Sequence, residues 1–572
     1  MLNPKIKAFL SVLGILYRLL NRRQKISFCI MLFLTIGFSI IETVGISAIM
    51  PFISLASDPG LLTSGWYKKV FDFAGFNGFE SFIIASGFVI IFFYFFRAVY
   101  STFLTYSINR FSFGIYKSLS KNVLRTILSI SYKVYVQKNS AEQIRTITEE
   151  TKDVGVLVLN FMKLLSEFFT VLLIYAVIVV INWKMTLVIT VVLSFIVLFM
   201  LSILTKKNKK IGEKRFESGI TIYRLIKESL GNIKYIKLKG NEEDILQTYE
   251  TAAETRSRAE VFYNVFGALP KGILESIGFS LLIAAVMFFI KMYHDASAAI
   301  PVITMYALAL YRILPSIHRM VQNIGEIFYF QKTLENVNES LHQQAEKEDA
   351  EPLDFKHSIR FENISFSYMS GNEVIKGISF TVNKGEKIAI TGESGGGKST
   401  LIDIITGIHK PVSGKIIIDD TVLTNKNIRS WRVKIGYIPQ SIYLFDGTVA
   451  ENVSFASIPD DDKIIKALQR ANIWDFLIQK EGIYTRVGDG GIQLSGGQQQ
   501  RIGIARALYD DPEVLVLDEA TSSLDSETEK KIMDEIYNIS ENKTLIVIAH
   551  RLSTVERCER KIQIESGRII GE

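Results

Sequence analysis

TGESGGGKST, residues 391–400, is the stretch that decides how the second half of this 572-residue chain folds. It follows the apolar run KIAIT and opens the helical pattern STLIDIITGI, so it reads as the turn between a buried strand and a helix. Its spacing is G-x-x-x-x-G-K-S, that of a phosphate loop. Gly392, Gly395, Gly396 and Gly397, with Glu393 and Ser394 between them, let backbone N–H groups wrap phosphate oxygens. Lys398 is placed to reach the β- and γ-phosphates, and Ser399 offers a hydroxyl to Mg2+. Thr400 follows at the start of a helix whose N-terminus adds a positive dipole end.

A second apolar strand, in VLVLDEATSSLD, residues 514–525, ends in Asp518 and Glu519. Burying the strand delivers both carboxylates at its tip. Asp518 suits Mg2+ coordination and Glu519 suits polarising an attacking water. Either acid alone would read as a helix cap, but a phosphate loop in the same domain gives the pair a role. Further strands are legible in SIRFENISFSY and TLIVIAH. An α/β nucleotide-binding domain is expected over residues 358–572.

Upstream the composition changes. Hydrophobic residues make up 48% of the chain and mean hydropathy is +0.24, yet charged residues are 22%. A chain part membrane and part soluble fits all three values. The two cysteines, Cys29 and Cys558, imply no disulfide framework. Crossing a bilayer takes about 20 apolar helical residues. Six stretches qualify, near 26–54, 80–106, 155–181, 184–204, 263–290 and 298–318. They predict an all-α six-helix transmembrane domain over 1–330, then a helix extension and linker over 331–357. The first apolar run is too long for a cleavable signal peptide. Lys and Arg number six in residues 1–25, eight in 107–152 and thirteen in 205–262, against two in 55–79. The positive-inside rule therefore puts both termini, the long connections and the soluble domain in the cytoplasm. Helical patterns in the long connections predict that the membrane helices continue far below the lipid. On the outer side, Leu62, Trp66, Val70 and Phe73 share one face of a helix expected at 61–76, suited to the membrane surface.

LSGGQQQR, residues 494–501, is not a general requirement of phosphate-loop ATPases. With it the chain resembles the ATP-binding cassette family, in its exporter branch. The resemblance implies ATP and Mg2+ as cofactors and assigns further residues. Tyr368 matches the aromatic that stacks on adenine. Gln440, in GYIPQ, matches the glutamine that senses Mg2+ and the membrane domain. Ser495, Gly497 and Gln498 belong to the signature, and TRVGDGG, residues 485–491, matches a cross-interface loop. Asp525 matches a dimer-contact aspartate and His550 the switch histidine at the γ-phosphate. In that family each nucleotide lies between the phosphate loop of one domain and the signature of another. One of each, both intact, implies a half-transporter that works as a homodimer.

The cargo is read from charges in the membrane half. Measured inward along a helix from its outer end, Arg312 lies at about 21 Å, Arg97 at about 26 Å and Lys271 at about 28 Å. Facing inward, they would form a basic layer suited to a phosphate or pyrophosphate. Glu42, Glu167 and Glu275 fall at about 20–22 Å and could instead pair with them and lock the bundle. Arg319 is expected to lie beyond the lipid, in water. The stretches IIETVGISAIMPFISLASD, FYFFRAVYSTF, KLLSEFF, ALPKGILESIGF, ALYRILPS and IGYIPQSIYLFDGTVAENVSF resemble the lipid-linked oligosaccharide flippases of bacterial N-glycosylation. That resemblance implies an undecaprenyl-pyrophosphate-linked oligosaccharide moved from the cytoplasmic to the periplasmic leaflet of the inner membrane. The alternatives are an exporter of another amphipathic lipid, of lipid A type, and an exporter of a peptide or drug. The short segment before the first span disfavours an exporter that cleaves leader peptides. An ATP-gated channel is disfavoured by the intact Glu519, His550 and signature.

Overall fold

The computed structural model describes residues 4–57, 59–63, 65–76, 78–181, 183–293, 296–368, 371–455, 458–518, 526–548 and 555–572. The chain forms two compact units, one of residues 1–128 and 138–344 and the other of 129–137 and 345–572.

The first unit is helical. Helices Arg22–Ser57, Phe79–Ser129, Thr151–Ile181, Trp183–Gly231, Glu242–Tyr293 and Ala296–Tyr329 run through the six apolar stretches. The second, fourth and fifth of these hold 51, 49 and 52 residues. At about 1.5 Å per residue they far exceed the roughly 30 Å of a hydrocarbon core. Among the described residues, five helices are long and apolar enough to cross a membrane. Here apolar side chains are exposed as well as buried, unlike in a water-soluble bundle. Phe92, Phe95 and Phe195 are exposed, while Thr35, Ser39 and Glu42 are buried. Lipid solvates the outer aromatics, and the buried hydroxyls are satisfied by helix carbonyls: Ser39 Oγ donates to Thr35 O at 3.0 Å.

The outer connection differs in detail from its expected form. Its helix is Gly65–Ala74, preceded by a 3-10 turn Pro59–Thr63. Leu62 therefore lies in the turn rather than on the helix face. Phe71 packs edge-on against Phe82 of the second membrane helix, with ring centroids 5.4 Å apart, and Phe73 is left 94% exposed.

The second unit contains two sheets. Strands β1 (Ser358–Ser367), β2 (Glu373–Asn383), β4 (Ser413–Ile418) and β5 (Thr421–Val422) form an antiparallel sheet in the order β2-β1-β4-β5. Strands β3 (Lys387–Gly392), β6 (Ile435–Ile438), β7 (Val514–Asp518), β8 (Thr544–Ile548), β9 (Arg560–Glu565) and β10 (Arg568–Gly571) form the other, in the order β10-β9-β3-β8-β7-β6. All but β10 run parallel in the second sheet. Its central strands β3, β7 and β8 are buried on both faces, which is why they read as unbroken apolar runs. The strand period of two divides them cleanly. Ile388, Ile390, Val514, Val516, Ile546 and Ile548 join the core shared with the antiparallel sheet. Ala389, Leu515, Leu517, Leu545 and Val547 face the helical layer with Ile502 and Ile532.

Residues 129–137 belong to this second unit although the chain on either side of them belongs to the first. A short helix, Tyr132–Tyr135, is capped there by Ser131, and Glu346 N donates to Ser129 O at 2.7 Å.

Candidate functional site

The phosphate loop leaves the carboxyl end of β3, the edge of a parallel sheet where ligands gather. Gly392, Gly395 and Gly397 have φ of 144°, 81° and 101°, backbone that other residues rarely adopt. A Cβ on Gly392 would come within 2.0 Å of Ile564 O, and one on Gly397 within 2.9 Å of Ile375 Cδ1. Glycine is thus required at 392 and 397, where the loop packs against β9 and β2. Lys398 is 5% exposed and its Nζ donates to Gly392 O at 3.0 Å and Glu393 O at 2.8 Å. It arches over its own loop, where a β- or γ-phosphate would share it. Ser399, Glu393 and Ser394 are exposed, whereas Thr400 is buried. Tyr368 meets the start of the same helix, its hydroxyl 3.3 Å from Thr400 Oγ1.

Asp518 ends β7, two strands from β3, and β6 beside it leads to the exposed Gln440. Parallel pairing brings these carboxyl ends to one edge. Tyr437, on β6, donates its hydroxyl to Asp518 Oδ2 at 3.2 Å. Burial, with the charge of Asp518 next in size, pushes the carboxyl of Asp403 up to about 6. Negative charge concentrated beside a phosphate cradle favours a divalent cation. Among the described residues no group of three or more His, Cys, Asp or Glu could hold a metal alone. A Mg2+ here would take Asp518, the Ser399 hydroxyl and the Gln440 amide together with phosphate oxygens, a set that fits the residues present. Sequence reasoning missed Tyr437 and Asp403. A lone acid in the apolar helix STLIDII was a visible signal for Asp403, but Tyr437 had none beyond its place in GYIPQ. Glu519, Asp525 and His550 lie outside the described residues.

The signature opens a helix, Gly496–Leu508. Ser495 caps it and forms a reciprocal capping box with Gln498. Ser495 is exposed, and Gly497 and Gln498 are half-buried. Among the described residues no hydrogen bond or ion pair joins these three to the phosphate loop.

The membrane charges form a second candidate site. Glu42 is 1% exposed, and its carboxylate takes a fork from Arg97, Nε at 2.5 Å and Nη2 at 2.7 Å. Arg312 Nε lies 2.6 Å from Glu42 Oε1 but is buried without an aligned hydrogen bond. Among the described residues, two guanidinium groups thus share one carboxylate, leaving one formal positive charge without a counter-charge, chiefly at Arg312. Of the expected alternatives, the pairing of bases with acids is what is seen at Arg97 and Arg312. Lys271 does not join it: it is exposed, and no ion pair links it to Glu275 among the described residues. Arg319, expected in water, keeps 38% side-chain exposure and is ion-paired. It sits in the unbroken helix Ala296–Tyr329, and its Nε and Nη2 contact Glu167 at 2.5 and 3.1 Å.

Comparison with known proteins agrees with both units. Residues 25–314 match the family described as ABC transporter transmembrane region, and residues 375–522 match ABC transporter. The heterocyst differentiation ATP-binding protein HepA of Nostoc sp. is 29% identical over 468 residues, 79% of this chain and 75% of its own. An ATP-dependent lipid A-core flippase of Paraburkholderia xenovorans is 28% identical over 453 residues, 78% of this chain and 76% of its own. The structure of a bacterial Atm1-family ABC exporter with ATP bound has the same fold, at TM-score 0.78 and 22% identity, over 96% of this chain and 94% of that one.

Proposed function

As a member of the ABC transporter family, an exporter half that couples ATP hydrolysis to transport, this chain is, we propose, a flippase whose cargo is a lipid with a pyrophosphate-linked oligosaccharide head. The observation that carries the cargo is the unbalanced charge at Glu42, Arg97 and Arg312. An oxyanion would supply what Arg312 lacks, and guanidinium is the side chain best matched to a phosphate oxygen pair. The same helix presents Leu310, Ile313 and Ile317 to an apolar cavity of about 360 Å³, so charged and apolar surfaces lie on different faces of one element. An amphipathic cargo needs that division. The exposed Phe73 on the helix Gly65–Ala74 would meet a polyprenyl tail at the outer surface.

In the nucleotide site, Lys398 and the loop N–H groups hold the phosphates and Tyr368 holds the base. Glu519 polarises water, and Asp518, Ser399 and Gln440 would hold Mg2+, which neutralises phosphate charge when bound. His550 contacts the γ-phosphate. A signature without contact to its own phosphate loop supports a homodimer, with Ser495, Gly497 and Gln498 of one copy closing the site of the other beside Asp525. Both termini and the nucleotide-binding domain face the cytoplasm from the bacterial inner membrane. Supply of a lipid A-type glycolipid is the second reading, favoured by the flippase relatives.

The test is flipping in proteoliposomes of three probes: a lipid-pyrophosphate oligosaccharide, lipid A and a cationic dye. The pyrophosphate lipid should move fastest, and Arg97→Ala with Arg312→Ala should slow it at least about tenfold. Equal or faster movement of lipid A would overturn this assignment in favour of the second reading.

A further inference from the structure

His409 lies four residues beyond the helix Lys398–Ile405, whose first turn carries the phosphate-loop residues. That helix is short and rigid, so its two ends move together. The imidazole is 2% exposed and enclosed by aromatic rings. Phe366 stacks on it at 4.7 Å and 21° between planes, and Tyr368 meets it edge-on at 5.3 Å. Tyr132, from the segment 129–137, covers it at 5.6 Å. The same segment is tied down further along, beyond that contact. Lys133 Nζ sits 5.5 Å from the Phe366 ring, and Gln137 Nε2 donates to Tyr368 O at 3.2 Å.

The imidazole has little polar work to do. Its Nε2 is buried without a hydrogen-bond partner and lies 3.7 Å from Asp403 Oδ2. What the position uses is a flat ring of the right size. One ring thereby touches the aromatic expected to hold the base and the segment whose two ends run into the membrane helices.

We propose that His409 is a positioning residue for ATP coupling: its ring holds Tyr368 on one side and Tyr132 on the other, so nucleotide binding and the placement of residues 129–137 depend on each other. The dependence must be reciprocal, because both rings share one contact.

The experiment is hydrogen exchange of the amides of residues 129–137 in the full-length protein in nanodiscs, with and without Mg-ATP, alongside the KM for ATP. In the wild type, Mg-ATP should slow exchange in this segment. His409→Ala should abolish that response and raise the KM about three- to tenfold, the size of one lost aromatic pair. His409→Phe keeps the ring and loses only the nitrogens, so it should restore both. Tyr132→Ala should reproduce the loss from the other side of the contact, and the double variant should be no worse than either single one. A wild type whose segment ignores Mg-ATP would overturn the proposal. So would additive effects of His409→Ala and Tyr132→Ala, or a His409→Phe variant as impaired as His409→Ala. A role confined to packing would lower thermal stability without moving the KM or the ATP response.

Discussion

The phosphate loop and the membrane cluster that we propose as a second phosphate site are built in opposite ways. The loop 391–400 uses backbone: glycines with left-handed φ, consecutive N–H groups and one lysine, all within ten residues of chain. The membrane cluster uses side chains: Glu42, Arg97 and Arg312 come from three helices separated by long stretches of sequence. The loop gets its specificity from space that a Cβ would fill. The cluster's proposed affinity rests on two guanidinium groups facing one buried carboxylate. Backbone donors carry no net charge, so the loop can be left empty at little electrostatic cost. One buried carboxylate and two half-buried guanidinium groups are costly in lipid without partners, so their pairing also holds the helices together.

The sharpest way to break this comparison is in the loop's chemistry. Glu519→Gln should retain ATP binding and lower turnover by at least about a hundredfold, since it removes only the group that polarises water. Brisk steady-state hydrolysis by this variant would move the base elsewhere. In the membrane, Glu42→Gln leaves two guanidinium groups without their counter-charge. It should destabilise the first unit by about 3 kcal/mol, the low end for a buried pair, because Arg97 and Arg312 retain 32% and 22% side-chain exposure. Thermal unfolding in detergent measures this, and an unchanged midpoint would show that the cluster is not structural. Arg319→Gln supplies the small end of the scale. Its pair with Glu167 is 38% exposed on the arginine side, and the expected loss is about 1 kcal/mol or less. A loss as large as that of Glu42→Gln would mean that exposure does not rank these pairs.

The two regions also differ in how legible they were. Every part of the loop was readable, because its function depends on residues spaced a few positions apart on one strand, one turn and one helix. The strand at 514–518 was readable for the same reason, from an unbroken apolar run ending in an acid. The six apolar stretches follow from hydropathy alone. The pairing of the membrane charges did not follow. Depth along a helix placed three bases and three acids at similar levels, but rotation about each helix axis decides which of them meet. That is why Arg97 and Arg312 converge on Glu42, Arg319 takes Glu167, and Lys271 takes neither. Arg319 was read as lying in water where the sixth helix continues past the lipid. The helix does continue, to Tyr329, and Arg319 keeps 38% side-chain exposure there, but its pair with Glu167 could not be read from the sequence.

Sequence by itself determined the fold class, the ATP chemistry and the six helices, since each rests on interactions local along the chain: strand period, glycine conformation, apolar length. Tertiary structure alone decided that Tyr437 orients Asp518, that His409 lies between Tyr368 and Tyr132, and that one carboxylate is shared by two arginines. Those contacts join residues from 41 to 277 positions apart, as with His409 and Tyr368 or His409 and Tyr132. No local rule reaches so far, because side-chain direction across a packed interface depends on how whole elements settle against one another.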